Sequence, residues 1–314
     1  MTTAVTDALQ LASAEILSLI GCAPDAVPDS CQRLIREQSL PHRPPTPAER
    51  DAIIRTVLGE IHGDAAKMAG AHRQRVWEQG WAENLEAFKQ SGFDERALAP
   101  RYTHPGEPIR LRGDYAIPLK DDFELTLSRI LRSYLFATYL GGAERIYEFG
   151  CGTGINLTHL AELFPDKQVV GLDWVESSAA LVRLLGKRWG GRIAYRHFNF
   201  FQPEPFPLGR RAGVLTVTAL EQVHDRFHPF VDWLLTQRPA VVVHVEPLLE
   251  LYDEALLFDY LGAAYHRRRK YLAGLLTYLR TLEADDRITI ERVHKTGFGV
   301  QRHDPFSYLV WRPC

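Results

Sequence analysis

The second half of the chain alternates short apolar runs with stretches whose apolar residues recur every three or four positions. The short runs predict buried strands, and the recurring positions predict helices that pack one face against them. Strands are predicted at 145–149, 168–172, 192–198, 213–220 and 240–245, with helices at 155–164, 176–189 and 229–237. Strands that alternate with helices favour a parallel α/β sheet covered on both faces.

The same kind of pattern continues on both sides of this region. An apolar stripe from Phe123 to Thr138 predicts a helix that Asp121 can cap, with Glu124 as the reciprocal partner. Near the C-terminus, 287–293 and 307–311 predict an antiparallel pair of strands joined by a glycine-containing loop. The region 248–284 is helical and longer than one crossover helix requires, so it is interpreted as an insertion.

The N-terminal third predicts helices and an irregular segment. Helical spacing occurs over 4–20, 30–39 and 48–90, and a proline-rich stretch separates the last two. Residues 91–121 are rich in glycine and proline, which predicts a loop or short strands and a candidate lid. The predicted domains are therefore 1–110, a helical region with a lid, and 111–314, the main α/β domain.

Composition narrows the functional classes. The 314 residues carry a net charge of −2 and have a pI near 6.6, so no nucleic-acid partner is expected. No apolar run reaches the ~20 residues of a membrane span, and the start lacks the basic residues of a signal peptide, so a cytoplasmic location is expected. The four cysteines are scattered without metal-ligand spacing, so no metal site is expected.

The motif that bears most on function is the glycine-rich run Gly150-Cys-Gly152-Thr-Gly154, which lies between a predicted strand and a predicted helix. Glycines at this spacing let the backbone turn sharply and approach a ligand closely. Asp173 ends the next predicted strand, at about the distance along the chain at which a carboxylate meets a ribose in nucleotide-binding units. The combination predicts a nucleotide-like ligand.

A dinucleotide fits this motif poorly. The third glycine of the dinucleotide fingerprint is missing, because its position holds Ile155 or Leu157. Glu148 would also repel a pyrophosphate, whereas a ligand with sulfonium and ammonium groups would suit it. With its acid two residues before the first glycine, the stretch 146–154 resembles the first motif of the class I S-adenosylmethionine-dependent methyltransferases. That resemblance implies a Rossmann-like seven-stranded sheet with helices on both faces, after a helical N-terminal extension.

The resemblance also implies a position for S-adenosylmethionine. The three motif glycines pass beneath its methionine and ribose parts, Glu148 lies near its amino group, and Asp173 accepts hydrogen bonds from the ribose hydroxyls. Asn199 stands where the family often has an aspartate near the adenine, and Trp174 either stacks on adenine or packs in the core. The cofactor set is completed by Cys151, Phe200 and Thr218.

The family places acceptor-site groups after its fourth strand. His224 is the candidate general base there, because an imidazole can take up a proton near neutral pH; the alternative is a solvated loop histidine. Glu221 and Glu246 are further catalytic candidates, although Glu221 could instead cap the next helix. Tyr115 in the candidate lid and Tyr252 in the insertion are predicted to lie near the substrate.

The resulting hypothesis is S-adenosylmethionine-dependent methyl transfer to the oxygen or nitrogen of a small molecule, in specialised metabolism. The extension and the insertion would together enclose the acceptor. The alternatives are a protein or RNA methyltransferase and a non-catalytic protein that binds the cofactor. The helical N-terminal third is a candidate interface for a homodimer.

Overall fold

The structure is a computed structural model, and it describes residues 8–63, 67–100 and 106–314. The strands are β1 Leu9–Gln10, β2 Pro41–Arg43, β3 Ile109–Leu111, β4 Asp114–Pro118, β5 Arg145–Phe149, β6 Gln168–Asp173, β7 Ile193–His197, β8 Ala212–Val217, β9 Val241–Val245, β10 Ile288–His294, β11 Phe298–Val300 and β12 Tyr308–Pro313. The helices are α1 Ser13–Ile20, α2 Asp29–Glu37, α3 Pro47–His62, α4 Gln74–Gln90, α5 Phe123–Leu135, α6 Ile155–Leu163, α7 Glu176–Arg188, α8 His228–Gln237, α9 Leu257–Arg269 and α10 Leu275–Ala284.

Seven strands form the main sheet, in the order β10-β12-β9-β8-β5-β6-β7. The strands from β9 to β7 are parallel, whereas β12 runs antiparallel to both of its neighbours. This confirms the predicted Rossmann-like sheet with an antiparallel C-terminal pair. Because the chain leaves β5 for β6 on one side while β8 pairs on the other, the carboxyl end of β5 is a switch point, where such sheets bind ligands.

Helices cover both faces of this sheet, as predicted. One core contains buried residues of α5, α6 and α7, and the other contains those of α8 and α10. The nearly continuous apolar run of β9 shows why the strand has to be buried on both sides, since Val243 belongs to the first core and Val242 to the second. In the described part of the chain, no helix combines the length and the apolar character that a bilayer crossing requires.

A second, smaller sheet was not predicted from the sequence. Its five strands lie in the order β1-β2-β4-β3-β11 and pair antiparallel. β11 comes from the segment predicted as a C-terminal loop, and it pairs Phe298 with Leu111 and Val300 with Ile109. The loop prediction is wrong here because a three-residue strand has no periodicity of its own, and its partner is distant in sequence. The predicted domain division after residue 110 falls inside β3.

Two local predictions need correction. The part of the predicted 4–20 helix that the structure describes begins with the strand Leu9–Gln10, and helix starts only at Ser13; residues 4–7 lie outside the described residues. Asp121 does not cap α5, which begins after Asp122, and the Asp122 side chain makes no capping hydrogen bond. Glu124 instead lines an internal cavity, where burial and then neighbouring Glu107 raise the pKa of its carboxyl to about 7.

Candidate active site

Three glycines turn the chain from β5 into α6. Gly150, Gly152 and Gly154 have φ angles of +74°, +51° and +80°, a region that residues with a Cβ rarely adopt. A Cβ on Gly150 would lie 2.4 Å from Ala219 Cβ, and one on Gly152 would lie 2.9 Å from the Trp81 ring. The turn therefore depends on bare backbone, and neighbouring elements approach it closely.

Gly150→Ala is expected to lower the free energy of unfolding by about 2–4 kcal/mol, because left-handed strain adds to overpacking against Ala219. Gly190→Ala is the matched control, since Gly190 has a φ of +61° but a Cβ there would meet nothing within 4 Å. The control substitution should lower the free energy of unfolding by only about 1 kcal/mol, because it adds backbone strain without overpacking. Urea unfolding measures both variants, and equal losses would show that close packing at the turn is unimportant.

A cavity of about 710 Å³ lies beside this turn. Its wall includes Glu148 and the backbone of 150–153 from the main domain, together with Trp77 and Trp81 of α4. Residues of α3, α5 and α9 and of the segment after β11 also line it. Small-molecule sites typically measure ~300–1,000 Å³. The cavity therefore has the size of a small-molecule site.

Glu148 contributes a buried carboxylate to the cavity wall. Its Oε1 accepts a hydrogen bond from Asn156 Nδ2 at 2.5 Å, and Asn156 Oδ1 accepts one from Arg132 Nη1 at 2.6 Å. Its Oε2 is buried and has no hydrogen-bond partner within the described residues. Burial raises the pKa of Glu148 to about 8, although Asn156 and Arg132 oppose this shift. A cationic ligand group at Oε2 would satisfy this oxygen.

Asp173 does not line the cavity. Its Oδ2 accepts from Gly152 N at 2.9 Å and its Oδ1 from Trp174 N at 2.7 Å, so the carboxylate ties the glycine turn to the end of β6. Burial raises the pKa of Asp173 to about 6. α4 lies over this region, because Gln74 Nε2 donates to Trp174 O at 3.3 Å and Glu78 accepts from the first N–H groups of α7.

The other predicted cofactor residues divide between the cavity and the core. Cys151 and Thr218 line the cavity, and Thr218 has a strained φ of +50° at the end of β8. Asn199 Oδ1 accepts from the backbone N–H of the second residue after it, and Phe200 packs in an aromatic cluster. Trp174 packs its ring against Phe201, at 5.5 Å between centroids. The structure does not bring these last three to the cavity wall.

Glu221 and a histidine that was not predicted meet at the cavity wall. Glu221 lies in the short 3₁₀ helix Leu220–Val223 after β8, and its Oε2 is 3.8 Å from His303 Nε2. The His303 ring is 7% exposed and stacks on Tyr265 with centroids 5.6 Å apart. Both of its ring nitrogens lack a hydrogen-bond partner among the residues that the structure describes. His303 therefore brings an imidazole without hydrogen-bond partners to the cavity wall.

Glu246 supports the turn that carries Glu221. The Glu246 side chain is fully buried, and its two oxygens accept hydrogen bonds from the N–H groups of Ala219, Leu220 and Glu221 at 3.0–3.1 Å. Burial and then the nearby Glu221 raise the pKa of Glu246 to about 8. The structure thus gives Glu246 a positioning contact and not a place on the cavity wall.

His224 also lies away from the wall. Its backbone has a φ of +57°, and its Nδ1 lies 3.0 Å from the carbonyl oxygen of Tyr271. Tyr271 itself lines the cavity, so its backbone separates the predicted base from the space where a ligand would lie. The turn after β8 therefore brings Glu221 to the cavity and turns His224 elsewhere.

Tyr115 and Tyr252 belong to a buried cluster around Arg110. Tyr115 packs edge-on against Phe258 at 5.1 Å, and the Tyr252 hydroxyl accepts from Asp304 N at 2.8 Å. Arg110 is fully buried and donates from Nε to Asp304 Oδ1 at 2.8 Å. Neither tyrosine lines the cavity, but the cluster fixes Asp304, the residue next to His303.

His303 lacked a sequence signal because it follows no predicted strand and no motif. Its position depends on β11, which anchors the segment to the small sheet, and on Arg110, which holds Asp304. The one local hint is Gly299, where a Cβ would lie 2.4 Å from His303 O, so the chain folds tightly back on itself.

Comparisons with known proteins give one family match and several similar solved structures. A family model described as "Methyltransferase domain" matches residues 146–232, which include the glycine turn, Asp173 and Glu221. A comparison with curated proteins gives no match. Among solved structures, an O-methyltransferase from neocarzinostatin biosynthesis is similar at 16% identity and a TM-score of 0.39, over 61% of this chain and 58% of that one.

Two further solved structures are similar. Human N-acetylserotonin methyltransferase matches at 14% identity and a TM-score of 0.39, over 61% of this chain and 55% of that one. A geranyl diphosphate methyltransferase matches at 14% identity and a TM-score of 0.45, over 77% of this chain and 97% of that one. The chain thus spans 55–58% of the length of the first two proteins.

Proposed function

We propose that this chain, which belongs to the class I methyltransferases by its sheet order and its match over residues 146–232, transfers a methyl group from S-adenosylmethionine to a small acceptor inside the cavity. The observation that carries the proposal is that one cavity contains both the glycine turn with Glu148 and the pair of Glu221 and His303. A cofactor site and a proton acceptor thus share one cavity.

The residues at the glycine turn suit this cofactor. The partnerless Oε2 of Glu148 can accept a hydrogen bond from the ammonium group, and Arg132 lines the same cavity with a positive charge that suits the carboxylate. The positive-φ glycines leave the backbone bare for a close approach. Asp173 remains the proposed ribose partner, and its contact with a ribose requires α4 to move from its position over the end of β6.

The chain's contribution to transfer is position, exclusion of water and a proton acceptor. When bound, S-adenosylmethionine supplies a methyl group that its positively charged sulfur already activates, so the chain has only to position the acceptor and take up its proton. With Nε2 facing Glu221, His303 Nδ1 accepts the proton that an acceptor hydroxyl loses as its oxygen bonds to the methyl carbon and the carbon–sulfur bond breaks. Glu221 stabilises the resulting imidazolium, and Tyr265 keeps the ring in place.

A cavity whose wall comes from many separate elements favours a small acceptor over a macromolecule. A protein or RNA would need an open groove to deliver its side chain or base, whereas α3, α4 and α9 all contribute to this wall. Methylation of macromolecules, and not of small molecules, in a lysate supplied with labelled cofactor would reverse this part of the proposal. Tight cofactor binding without turnover on any acceptor would favour a non-catalytic role.

Binding of S-adenosylhomocysteine is expected to release a proton near pH 7. The free protein holds Glu148 protonated below a pKa of about 8, and an ammonium group at Oε2 favours the ionised form. Affinity should therefore rise as the pH increases from about 6 to about 8, because the competing proton is lost over that window. Calorimetry in two buffers with different ionisation enthalpies measures the proton release directly.

Glu148→Gln supplies the control for this experiment. Glutamine keeps the shape and the hydrogen bond to Asn156 but cannot ionise, so binding should weaken and its proton release should disappear. Unchanged proton release in the variant would exclude Glu148 as the ammonium partner. If the wild-type protein bound no S-adenosylhomocysteine at any pH, the proposed activity itself would fail.

A further inference from the structure

Two guanidinium groups on the cavity wall make no close ion pair with a carboxylate of the described residues. Arg73 and Arg269 both line the cavity, and among the described residues no carboxylate lies within 4 Å of either. Burial, and then the charge of nearby Arg269, lower the pKa of Arg73, and the more weakly acting Glu221 carboxylate does not offset them. Two like charges held close together in a cavity are unfavourable unless an anion joins them.

The hydrogen bonds of this arginine pair, Arg73 and Arg269, go to uncharged groups. Arg73 Nη1 donates to Gln222 Oε1 at 3.2 Å. Arg269 donates from Nη1 to the Tyr265 hydroxyl at 2.5 Å and from Nε to Lys67 O at 2.6 Å. A guanidinium has five N–H donors in a fork that matches carboxylate and phosphate oxygens, so both arginines keep donors for a ligand.

A third arginine on the cavity wall, in contrast, forms ion pairs. Arg302 pairs with Glu60 Oε2 at 2.8 Å and with Glu107 Oε2 at 3.2 Å, so its charge is already matched. Arg73 and Arg269 differ from Arg302 in that no carboxylate of the described residues lies within 4 Å of them.

Aromatic rings lie beside the arginine pair. The Arg269 guanidinium is 4.9 Å from the Tyr271 ring centroid, and Arg73 lies 5.0 Å from that of Trp77. The His303 ring is 5.2 Å from Tyr271, so the proton acceptor belongs to the same aromatic group. Flat apolar faces next to paired cations suit a planar ring that carries an anionic group.

We propose that the methyl acceptor is a planar anion whose carboxylate or phosphate group binds between Arg73 and Arg269, with its ring against Tyr271 and its hydroxyl toward His303. This inference deepens the proposed function and rests on it for the identity of the reaction. The anion site itself can be measured without turnover.

Equilibrium dialysis of three matched probes tests the site. The probes are 2-naphthoate, 2-naphthyl phosphate and the neutral 2-naphthamide, each with the protein alone and with saturating S-adenosylhomocysteine. At least one anion should bind about tenfold more tightly than the amide, as expected for hydrogen bonds to a charged group. The more strongly bound anion identifies the group that the site takes. Equal binding of all three probes would overturn the proposal.

Variants of the two arginines test whether they cause the preference for an anion over the amide. Arg73→Gln and Arg269→Gln should each reduce the preference for the anion severalfold or more and leave amide binding unchanged, which also reports that the cavity is intact. Arg267→Gln is the matched control, because Arg267 lies on the same helix, is paired with exposed Glu254 and does not line the cavity. A full preference in the Arg73→Gln, Arg269→Gln double variant would refute the site.

One outcome separates this inference from the proposed function. An anion preference that depends on the arginine pair, together with no binding of S-adenosylhomocysteine, would keep the anion site and remove the methyltransferase proposal. If Arg269→Gln misfolds and loses amide binding, Arg269→Lys takes its place in the experiment. Lysine keeps the positive charge but lacks the forked N–H donors of a guanidinium, so the preference for the anion should fall. An unchanged preference in Arg269→Lys would count against a forked contact.

Discussion

His303→Gln is expected to lower kcat for transfer to a hydroxyl acceptor by about 10²–10⁴-fold, the usual contribution of a general base. The reason is geometric: His303 is the histidine on the cavity wall, its ring nitrogens have no partner within the described residues, and Glu221 lies 3.8 Å from Nε2. Binding of S-adenosylhomocysteine should not change, because the Glu148 side of the wall is untouched. Single-turnover kinetics with a hydroxyl acceptor measure the chemical step.

The same experiment on His224 decides which of the two histidines is the general base. His224→Gln should have a much smaller effect, since its Nδ1 lies against Tyr271 O and its ring is outside the cavity wall. His228→Gln, at an exposed position nearby, should have none and serves as the control. A large loss in His224→Gln with normal turnover in His303→Gln would restore the assignment that the sequence suggested. Glu221→Gln should lower kcat less than His303→Gln but more than His228→Gln, because it removes the charge that stabilises the imidazolium.

Arg110→Met is expected to lower the free energy of unfolding by about 3–5 kcal/mol, the usual cost of leaving a buried charge without its partner. Arg110 is fully buried, donates to Asp304 at 2.8 Å and to Phe258 O at 3.0 Å, and lies 3.5 Å from Asp259 Oδ1. Methionine fills a similar volume, so the loss reports the buried Asp304 carboxylate, which within the described residues keeps only Lys295 at 4.0 Å, and not a cavity; Asp259 retains its ion pair with Lys295 at 2.5 Å. Urea unfolding of wild type and variant gives the difference.

Arg50→Met is the matched control for this effect. Arg50 pairs with Asp114 on the neighbouring strand at 3.0 Å, but the side chains are 40% and 58% exposed. Solvent weakens such a pair, so the variant should lose about 0–1 kcal/mol. Adding Asp304→Leu to Arg110→Met should recover part of the free energy of unfolding, because it removes the carboxylate that has lost its arginine partner. Equal losses for Arg110→Met and Arg50→Met would mean that the buried network contributes little.

The Arg110 variant should also reduce turnover through His303. Asp304 follows His303 directly, and its N–H donates to the Tyr252 hydroxyl while its carboxylate holds Arg110. A shift of that segment moves the imidazole relative to Glu221, and catalysis is sensitive to such displacements. Tyr115 and Tyr252 were predicted to lie near the substrate. In the structure they instead belong to the cluster around Arg110, which supports the segment that carries His303.

The main sheet was predictable because its signals are local. The strand at 145–149 coincides with β5, and the continuous valines of β9 require burial on both faces. Three positive-φ glycines after β5 and an acid at the end of β6 could likewise be predicted, since a turn of this shape restricts residue type in the sequence itself. The candidate positions of Glu148 and Glu221 follow from the ends of their strands.

Contacts between distant segments decided the rest. β11 forms only because β3 pairs with it, and that pairing brings the segment holding His303 to the cavity. The choice between His224 and His303 was also tertiary: a φ of +57° turns one ring toward Tyr271 O, while Arg110 and Tyr265 hold the other at the wall. Hydrophobic periodicity reports which face of an element is buried, but not which side chains from separate elements meet. The sequence thus determined the sheet and the glycine turn, and only tertiary packing determined which side chains form the cavity wall, His303 and the arginine pair among them.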